Sequence, residues 1–261
     1  RLLTMLIIPL MSCSARLPVY ILIAGAIFPG QAGNIIFGLY MTGILLSVLV
    51  ALVLKNTLFR KQESPFVMEL PPYRVPTAQA IFKHMWFKGQ IYLKKMGGLI
   101  LIASIIIWAL GYFPRVEGNK TEQLENSYIG KIGKTVEPVI KPLGFDWKMG
   151  IALITGTVAK EVVVSTLGVL YQDDEASDNL PDKIRTDVYQ TGPRKGQTVY
   201  TPHATLAFLL FVLIYVPCIA VLAVIRKESG GWKWAIFMAV YTTALAWIIA
   251  FGVFQIGSLL A

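Results

Sequence analysis

Six long apolar stretches dominate this sequence and leave it few possible folds. Each approaches or exceeds the roughly 20 apolar residues that a helix needs to cross a bilayer. Because hydrocarbon offers the backbone no hydrogen-bond partners, segments exposed to lipid must be helical. The sequence therefore predicts an all-α, polytopic transmembrane helical bundle. The six stretches are Leu2–Pro29, Ile35–Leu54, Gly97–Phe113, Gly150–Tyr171, Ala204–Ile225 and Trp234–Leu260.

Composition excludes several other classes of protein. The 261 residues are 55% hydrophobic and only 15% charged, whereas soluble domains carry about 25% charged residues. This excludes an ordinary soluble enzyme, a disordered chain and a nucleic-acid partner, despite the net charge of +9. The two cysteines are too few for a disulfide framework and match no zinc spacing. The chain starts in apolar sequence without a methionine or a charged leader, which is typical of an interior fragment.

The loops leave the orientation of the spans open. Lys55–Met96 holds eight basic residues and two acids, so we expect it in the cytoplasm. Strict alternation then places Pro114–Met149 outside and Gln172–His203 inside. It also places the basic loop Arg226–Lys233 outside, against its charge. The alternative is that Gly150–Tyr171 enters and leaves the membrane on one face.

Each cysteine lies in a long apolar stretch beside a proline, Cys13 near Pro18 and Cys218 next to Pro217. Leu2–Pro29 would measure about 42 Å as one helix, against a hydrocarbon core of about 30 Å. Two half-helices with a short unwound stretch fit better. Interrupted helices at corresponding points of two halves indicate the substrate site of a transporter. The alternative is a kinked helix in which cysteine acts as a small hydrophobic residue.

Three charged residues fall inside apolar segments: Arg16, Lys160 and Glu161. Charges are costly at membrane depth, so such residues usually face a bundle interior and mark a pathway. On a helix, Thr157, Glu161 and Ser165 lie at positions i, i+4 and i+8 and share one face. The alternative is a structural ion pair between Glu161 and Arg16 that only fastens helices together.

The candidate ligands combine soft and hard donors. Thiolates of Cys13 and Cys218, thioether sulfur of Met5 or Met11, hydroxyl and carbonyl oxygens and one carboxylate suit a borderline divalent transition metal. Mg²⁺ and Ca²⁺ prefer oxygen alone, and an organic substrate would be expected to meet more aromatic and amide groups. No sequence motif of a catalytic triad, a phosphate-binding loop or a dinucleotide site is present, so we predict a transporter and not an enzyme.

Four motifs, in order along the chain, resemble the bacterial ferrous iron transport protein B family. The first is similar to the first gate motif of that family and contains Cys13. The second is similar to a loop motif, and the others resemble the start and continuation of the second gate, which contains Cys218. The motifs are PLMSCSARLPVY at 9–20, ELPPYRVPT at 69–77, GTVAKEVVVSTLG at 156–168, and YVPCIA at 215–220 with IRKESGGWKW at 225–234.

The resemblance implies a multi-pass protein of the bacterial inner membrane that moves Fe²⁺ into the cytoplasm. It implies two gate regions of opposed orientation, each with one cysteine, which favours a Gly150–Tyr171 segment that does not fully cross. Cys13, Cys218 and Glu161 would be metal ligands, with Ser12 and Ser14 assisting. The remaining gate and pathway residues would be Arg16, as a gate charge or partner of Glu161, together with Pro18, Lys160, Thr157, Ser165 and Pro217.

The resemblance also implies partners and a division of the chain. A GTP-binding domain would precede this region, so GTP and Mg²⁺ would bind there and not here, and Fe²⁺ would be the transported substrate. Small cytoplasmic accessory proteins are further expected partners. Whether the protein forms a homo-oligomer is left open. Where a threonine would be expected after Ala220, the sequence has Val221, so one hydroxyl ligand is missing. Residues 1–54 would end the first gate region, 55–96 form a cytoplasmic loop, 97–149 a span plus external loop, and 150–261 the second gate region and C-terminal spans.

Two other functions stay open at this point. One is a gate-type transporter of nucleosides or other organic solutes. The other is a membrane anchor or receptor for a signalling GTPase, with no pathway of its own.

Overall fold

The computed structural model describes residues 2–58, 77–114, 126–171, 180–189 and 196–260. Within them the only β-type pairing is an isolated bridge between Val188 and Thr198, so the all-α prediction is confirmed. The helices are α1 Leu2–Ile7, α2 Leu17–Ile27, α3 Ala32–Thr57, α4 Ala78–Tyr112, α5 Tyr128–Ile140, α6 Trp147–Thr155, α7 Val162–Leu170, α8 Leu180–Thr186, α9 Pro202–Ile214, α10 Ile219–Ser229 and α11 Trp232–Leu260.

Four helical segments of the described chain are long and apolar enough to cross a membrane: Leu2–Ile27, Ala32–Thr57, Pro202–Ser229 and Trp232–Leu259. Two of the four are interrupted. Between α1 and α2 lie two 3-10 turns with an irregular stretch at 11–13, which we call the first break. Between α9 and α10 lies a non-helical stretch at 215–218, which we call the second break. The predicted interruption of both cysteine-bearing stretches is confirmed.

The two broken spans run in opposite directions. Near one end of the bundle, Leu6 of α1, Leu54 of α3 and Ile225 of α10 belong to one buried cluster with the start of α11. At the other end, His203 of α9 packs on Phe254 of α11 with ring centroids 5.5 Å apart, and α2 packs against α8. The first broken span therefore begins at the end of the bundle where the second one finishes. This is the arrangement that the resemblance implies for two gates of opposed orientation.

The predicted stretch Gly150–Tyr171 is a helical hairpin and not a single rod. The hydroxyl oxygens of Thr155 in α6 and Thr166 in α7 lie 2.9 Å apart, and the Lys148 ammonium lies 4.3 Å from the centroid of the Tyr171 ring. In one straight helix residues 148 and 171 would be about 35 Å apart. The chain turns back at residues 156–161, which we call the hairpin tip.

Because Gly150–Tyr171 is a hairpin, the loops do not alternate strictly between the two faces of the bundle. Because both its ends lie together, the residues after it begin on the side from which it entered. Asp187, just after α8, binds Lys148 at the hairpin base with a distance of 3.1 Å. Strict alternation would also place Arg226–Lys233 opposite Lys55, and this is wrong, since Leu54 and Ile225 share one cluster. The exposed side chains of Lys55, Arg226, Lys227 and Lys233 thus define one basic end.

Three predicted loops contain helices. Within Lys55–Met96, α4 begins at Ala78 and continues without interruption into the predicted span. Hydropathy located the apolar part of α4 but missed its lysine-rich first half, which has good helix formers and no proline. Pro114–Met149 contains α5, capped by Ser127, whose hydroxyl accepts from the Gly130 amide at 3.2 Å. Gln172–His203 contains the short helix α8. The motif at 69–77 lies outside the described residues.

Helix α9 forms the centre of the bundle. Most of its residues are buried on all sides, as expected for a helix that is apolar around its whole circumference. Phe208 meets Phe145 edge-on with ring centroids 5.5 Å apart. Because α9 leads directly into the second break, a largely buried helix lies next to Cys218.

Cysteine labelling from the two sides of a membrane tests the hairpin. Lys141→Cys and Arg185→Cys lie on the two flanks of the hairpin, and both positions are exposed. In a protein whose two native cysteines are serine, we expect an impermeant maleimide to label both positions from the same face. Lys227→Cys, at the basic end, is the matched control and should react only from the other face. Labelling of Lys141→Cys and Arg185→Cys from opposite faces would show that the segment crosses.

Candidate functional site

The first break is held open by a buried arginine. Cys13 has extended backbone, with φ −100° and ψ 161°, and precedes the 3-10 turn Ser14–Arg16. The Arg16 side chain is 2% exposed and donates to the carbonyl of Pro9 at 3.0 Å and to that of Met11 at 3.2 Å. Arg16 thus satisfies carbonyls that the interrupted helix leaves without amide partners.

The second break repeats this arrangement at the other cysteine. Cys218 also has extended backbone, with φ −61° and ψ 155°, and is the residue that precedes α10. Pro217 is buried and Cys218 is partly buried, whereas Cys13 is exposed, and both cysteines are free thiols. Each cysteine therefore stands where a helical half begins after a break, although Pro18 lies inside α2 and Pro217 lies before α10.

The hairpin tip is fastened to the second break by two hydrogen bonds. The Lys160 ammonium donates to the carbonyl of Val216 at 2.8 Å, and the amide of Ile219 donates to the carbonyl of Thr157 at 3.0 Å. Lys160 is 3% exposed, and its Nζ lies 3.1 Å from the centroid of the Tyr215 ring. A cation over an aromatic face is attracted by the ring quadrupole, most strongly where water is excluded.

The hairpin also packs against the broken span that carries Cys13. Helix α7, which begins directly after the tip, contacts α2, which follows the first break. The hairpin therefore bonds to the second break at its tip and lies against the span that contains the first, although the two spans are far apart in the sequence. We call this region, formed by the two breaks and the hairpin tip, the gate junction.

Several polar atoms at the gate junction are buried without a hydrogen-bond partner. Buried polar atoms are normally hydrogen-bonded, so a group of exceptions in one place is a feature of the site. Their donors and acceptors can serve a cation, or the water that accompanies it, as it passes. The atoms are Arg16 Nε, Glu161 Oε2 and Tyr215 Oη.

The predicted polar stripe of Thr157, Glu161 and Ser165 does not form. The tip is non-helical, and α7 begins only at Val162, so the four-residue spacing across the tip carries no common face. Ser165 is exposed, and the Thr157 hydroxyl donates to the carbonyl of Ile154 at 2.6 Å. The periodicity argument assumed a continuous helix, and the break at the tip removes that assumption.

The structure does not pair Glu161 with Arg16. Arg16 binds backbone carbonyls, and one oxygen of Glu161 is buried without a partner. The carbonyl of Ser14, four residues before Pro18, accepts from the Leu17 amide.

No three-ligand metal cluster exists among the described residues. Groups of three or more His, Cys, Asp or Glu side chains that could hold a metal do not occur there, so Cys13, Cys218 and Glu161 do not converge as one set. Cys13 and Ser14 are exposed. The gate junction therefore offers a metal few strong ligands at once in this conformation.

Sequence reasoning missed a second polar cluster, at the base of the hairpin. The Tyr171 hydroxyl donates to Asp187 at 2.5 Å, and Asp187 pairs with Lys148. Asp146 accepts from the Met149 amide at 2.8 Å and so caps α6. Burial raises the pKa of the Asp146 carboxyl from 3.8 to about 6, and the Lys148 ammonium nearby opposes that rise. These contacts clamp the two ends of the hairpin together.

Family models match two parts of the chain. A model described as "Nucleoside recognition", named Gate, matches residues 93–232. A model described as "Ferrous iron transport protein B C terminus" matches residues 36–88. Together they cover most of α3, nearly all of α4 and the segment from α5 to the start of α11.

Curated relatives match nearly the whole chain. A Fe(2+) transport protein A/Fe(2+) transporter FeoB fusion protein of Porphyromonas gingivalis is 50% identical over 99% of this chain. The Fe(2+) transporter FeoB of Campylobacter jejuni is 42% identical over 96% of it, and that of Methanocaldococcus jannaschii is 38% identical over 100% of it. This chain belongs to the FeoB family.

The matched part is a minority of each FeoB relative. The chain spans 35% of the Porphyromonas protein, 41% of the Campylobacter protein and 38% of the Methanocaldococcus protein. No solved structure matches the chain. The FeoB resemblance and the membrane-spanning helices make it part of a multi-pass membrane protein.

A glycine at the hairpin tip gives a direct test of the gate junction. A Cβ at Gly156 would collide with the Tyr215 hydroxyl and with Val163, and would lie 3.0 Å from the Ala152 carbonyl. We expect Gly156→Ala to lower the free energy of unfolding by about 1–3 kcal/mol, as overpacking does. Thermal unfolding of the purified protein in detergent measures the change.

Gly168→Ala is the matched control. Gly168 lies in α7, and a Cβ there would meet nothing within 4 Å. Its replacement should stabilise the helix by about 1 kcal/mol. Equal effects of the two substitutions would contradict the close contact between the tip and Tyr215.

Proposed function

We propose that this chain is the permease part of a transporter that carries Fe²⁺ across a membrane. One observation carries the proposal: two antiparallel spans, each broken at a cysteine, pack against one hairpin whose buried tip bonds to the second break. FeoB relatives named as Fe(2+) transporters support the choice of ion.

The depth of the breaks supports a pathway. Helix α9 has 13 residues and α10 has 11, which correspond to about 20 Å and 16 Å of helix. Cys218 thus lies near the middle of its span, where a hydrocarbon core of about 30 Å is driest. Non-helical backbone at that depth is tolerated where protein or a water-filled cavity satisfies it.

The donors suit a transition-metal ion that stays only briefly. Thiol sulfur at Cys13 and Cys218 favours softer divalent ions over Mg²⁺ and Ca²⁺. A site with few strong ligands binds weakly, and weak binding is what conduction requires, because an ion that enters must also leave.

Lys160 occupies contacts that a passing cation would use. Its ammonium donates to the Val216 carbonyl and lies over the face of the Tyr215 ring. Both groups attract cations. An ion at the gate junction must therefore displace the ammonium or share its partners. In this proposal Lys160 is a tethered cation that keeps the junction closed to other ions, and Arg16 keeps the first break in shape.

The proposal also assigns the faces and the partners. The basic end would face the cytoplasm of the bacterial inner membrane, following the positive-inside rule. The GTP-binding domain, with its GTP and Mg²⁺, and small accessory proteins would act at that end. The Porphyromonas relative, named as a fusion of transport protein A with FeoB, supports an accessory partner of this kind.

Nucleoside transport is the second candidate, because the Gate family model is described as "Nucleoside recognition". The chemistry of the gate junction favours the metal: it offers thiols, carbonyls and cationic side chains, and its aromatic groups are tyrosines that pack on Lys160 and Tyr40. Competition separates the two candidates. Mn²⁺ and Co²⁺ should inhibit Fe²⁺ uptake by the intact protein, whereas nucleosides should not.

Iron uptake by cysteine variants tests the proposal. In proteoliposomes that contain the complete natural protein, we expect Cys13→Ser and Cys218→Ser each to reduce Fe²⁺ uptake at low iron concentration by about tenfold, which corresponds to about 1.4 kcal/mol of lost binding. Ser165→Ala, at an exposed position on the neighbouring helix α7, should leave uptake unchanged.

Two results would contradict the proposal. Unchanged uptake in both cysteine variants would remove the sulfur ligands from the pathway. Absence of any iron flux in the wild-type proteoliposomes would favour the anchor or receptor for a signalling GTPase.

A further inference from the structure

A large cleft opens on the surface of the bundle beside the second break. It has a volume of about 740 Å³ and lies along α10 and the turn into α11. It is separate from the gate junction, although its first residue, Ile219, follows Cys218 directly. The lining residues are Ile219, Leu222, Ala223, Arg226, Lys227, Gly230, Gly231 and Trp232.

One half of the cleft is apolar. Ile219, Leu222 and Ala223 line it, and the Ile219 side chain is 53% exposed. This half follows α10, whose 11 residues extend about 16 Å. That length is close to half of a hydrocarbon core of about 30 Å. The cleft therefore runs from the middle of the membrane to one surface, which is the depth of one lipid leaflet.

The other half is cationic and aromatic. The Arg226 guanidinium lies 4.3 Å from the centroid of the Trp232 ring, so the ring holds the charge at the mouth of the cleft. Lys227 is exposed beside it. Gly230, with φ 72°, turns the chain back so that α11 closes this side. Tryptophan and basic residues in this combination are typical of the headgroup level of a membrane.

We propose that this cleft binds one anionic phospholipid of the leaflet at the basic end. The phosphate contacts Arg226 and Lys227, the glycerol region lies against Trp232, and one acyl chain follows the apolar half towards Ile219. Charge complementarity favours an anionic lipid, since the cleft is lined by Arg226 and Lys227 and by no acidic residue. Clusters of basic residues at a membrane surface attract anionic headgroups.

The position of the cleft links the lipid to the gate junction. The backbone amide of Ile219 donates to the carbonyl of Thr157 in the hairpin tip, while its side chain lines the cleft. A bound acyl chain would therefore pack beside the contact that fastens the tip to the second break. Lipid binding itself does not depend on iron transport, so the two proposals can fail separately.

Native mass spectrometry of the complete protein, released from nanodiscs that contain phosphatidylglycerol and phosphatidylcholine, tests the site. We expect the wild type to retain one phosphatidylglycerol in preference to phosphatidylcholine. Arg226→Gln and Lys227→Gln should each weaken this retention by about fivefold, the effect of one basic residue near an anionic surface. Ala223→Trp should abolish it by filling the apolar half.

Matched controls separate a site from general surface charge. Lys233→Gln removes the same charge one residue beyond the cleft, and Val240→Trp places the same large ring at an exposed position of α11. Both should retain the lipid as the wild type does. A loss in Lys233→Gln equal to that in Arg226→Gln, or full retention in Ala223→Trp, would overturn the proposal. So would displacement of the lipid by soluble glycerol phosphate, which would indicate a phosphate site without a lipid.

Discussion

Backbone that leaves a helix inside a bilayer must find new hydrogen-bond partners within the protein, and this constraint shapes the chain. Arg16 meets it at the first break by donating to the carbonyls of Pro9 and Met11. At the second break the hairpin tip meets it through Lys160 and Thr157. The groups that satisfy the backbone are thus charged side chains at membrane depth, where a charge is costly unless it has partners. The hairpin also packs against α2, so both broken spans lie beside it.

The hairpin that carries Lys160 also sets the orientation of everything after it. Because its base is clamped by Lys148, Asp187 and Tyr171, the hairpin returns to the side from which it came. The next span then runs antiparallel to the first broken one, so the two breaks have inverted direction. The turn Arg226–Lys233 consequently joins Lys55 at one end, so the charge pattern and the backbone path agree.

Much of the fold could be predicted from the sequence, because length and proline position limit what an apolar segment can do. The stretch from Leu2 was too long for one span, and the break near Cys13 follows. The sequence left two alternatives for Gly150–Tyr171, because local patterns cannot show whether a short apolar segment crosses the membrane or returns. The prediction of a polar stripe through Glu161 was wrong, because helical periodicity does not apply where the helix is interrupted. The contact between Lys160 and Val216 joins residues 56 positions apart, so no local pattern could reveal it.

The central claim is that both sulfur atoms bind a cation at the gate junction. Titration with Co²⁺ tests this most directly. Bound to thiolate, Co²⁺ gives a sulfur-to-metal charge-transfer absorption that oxygen ligands do not produce. The complete protein titrated with Co²⁺ should show this absorption, and Cys13→Ser and Cys218→Ser should each weaken it, with complete loss in the double variant. An absorption that is missing from the wild type, or unchanged in both single variants, would contradict the account.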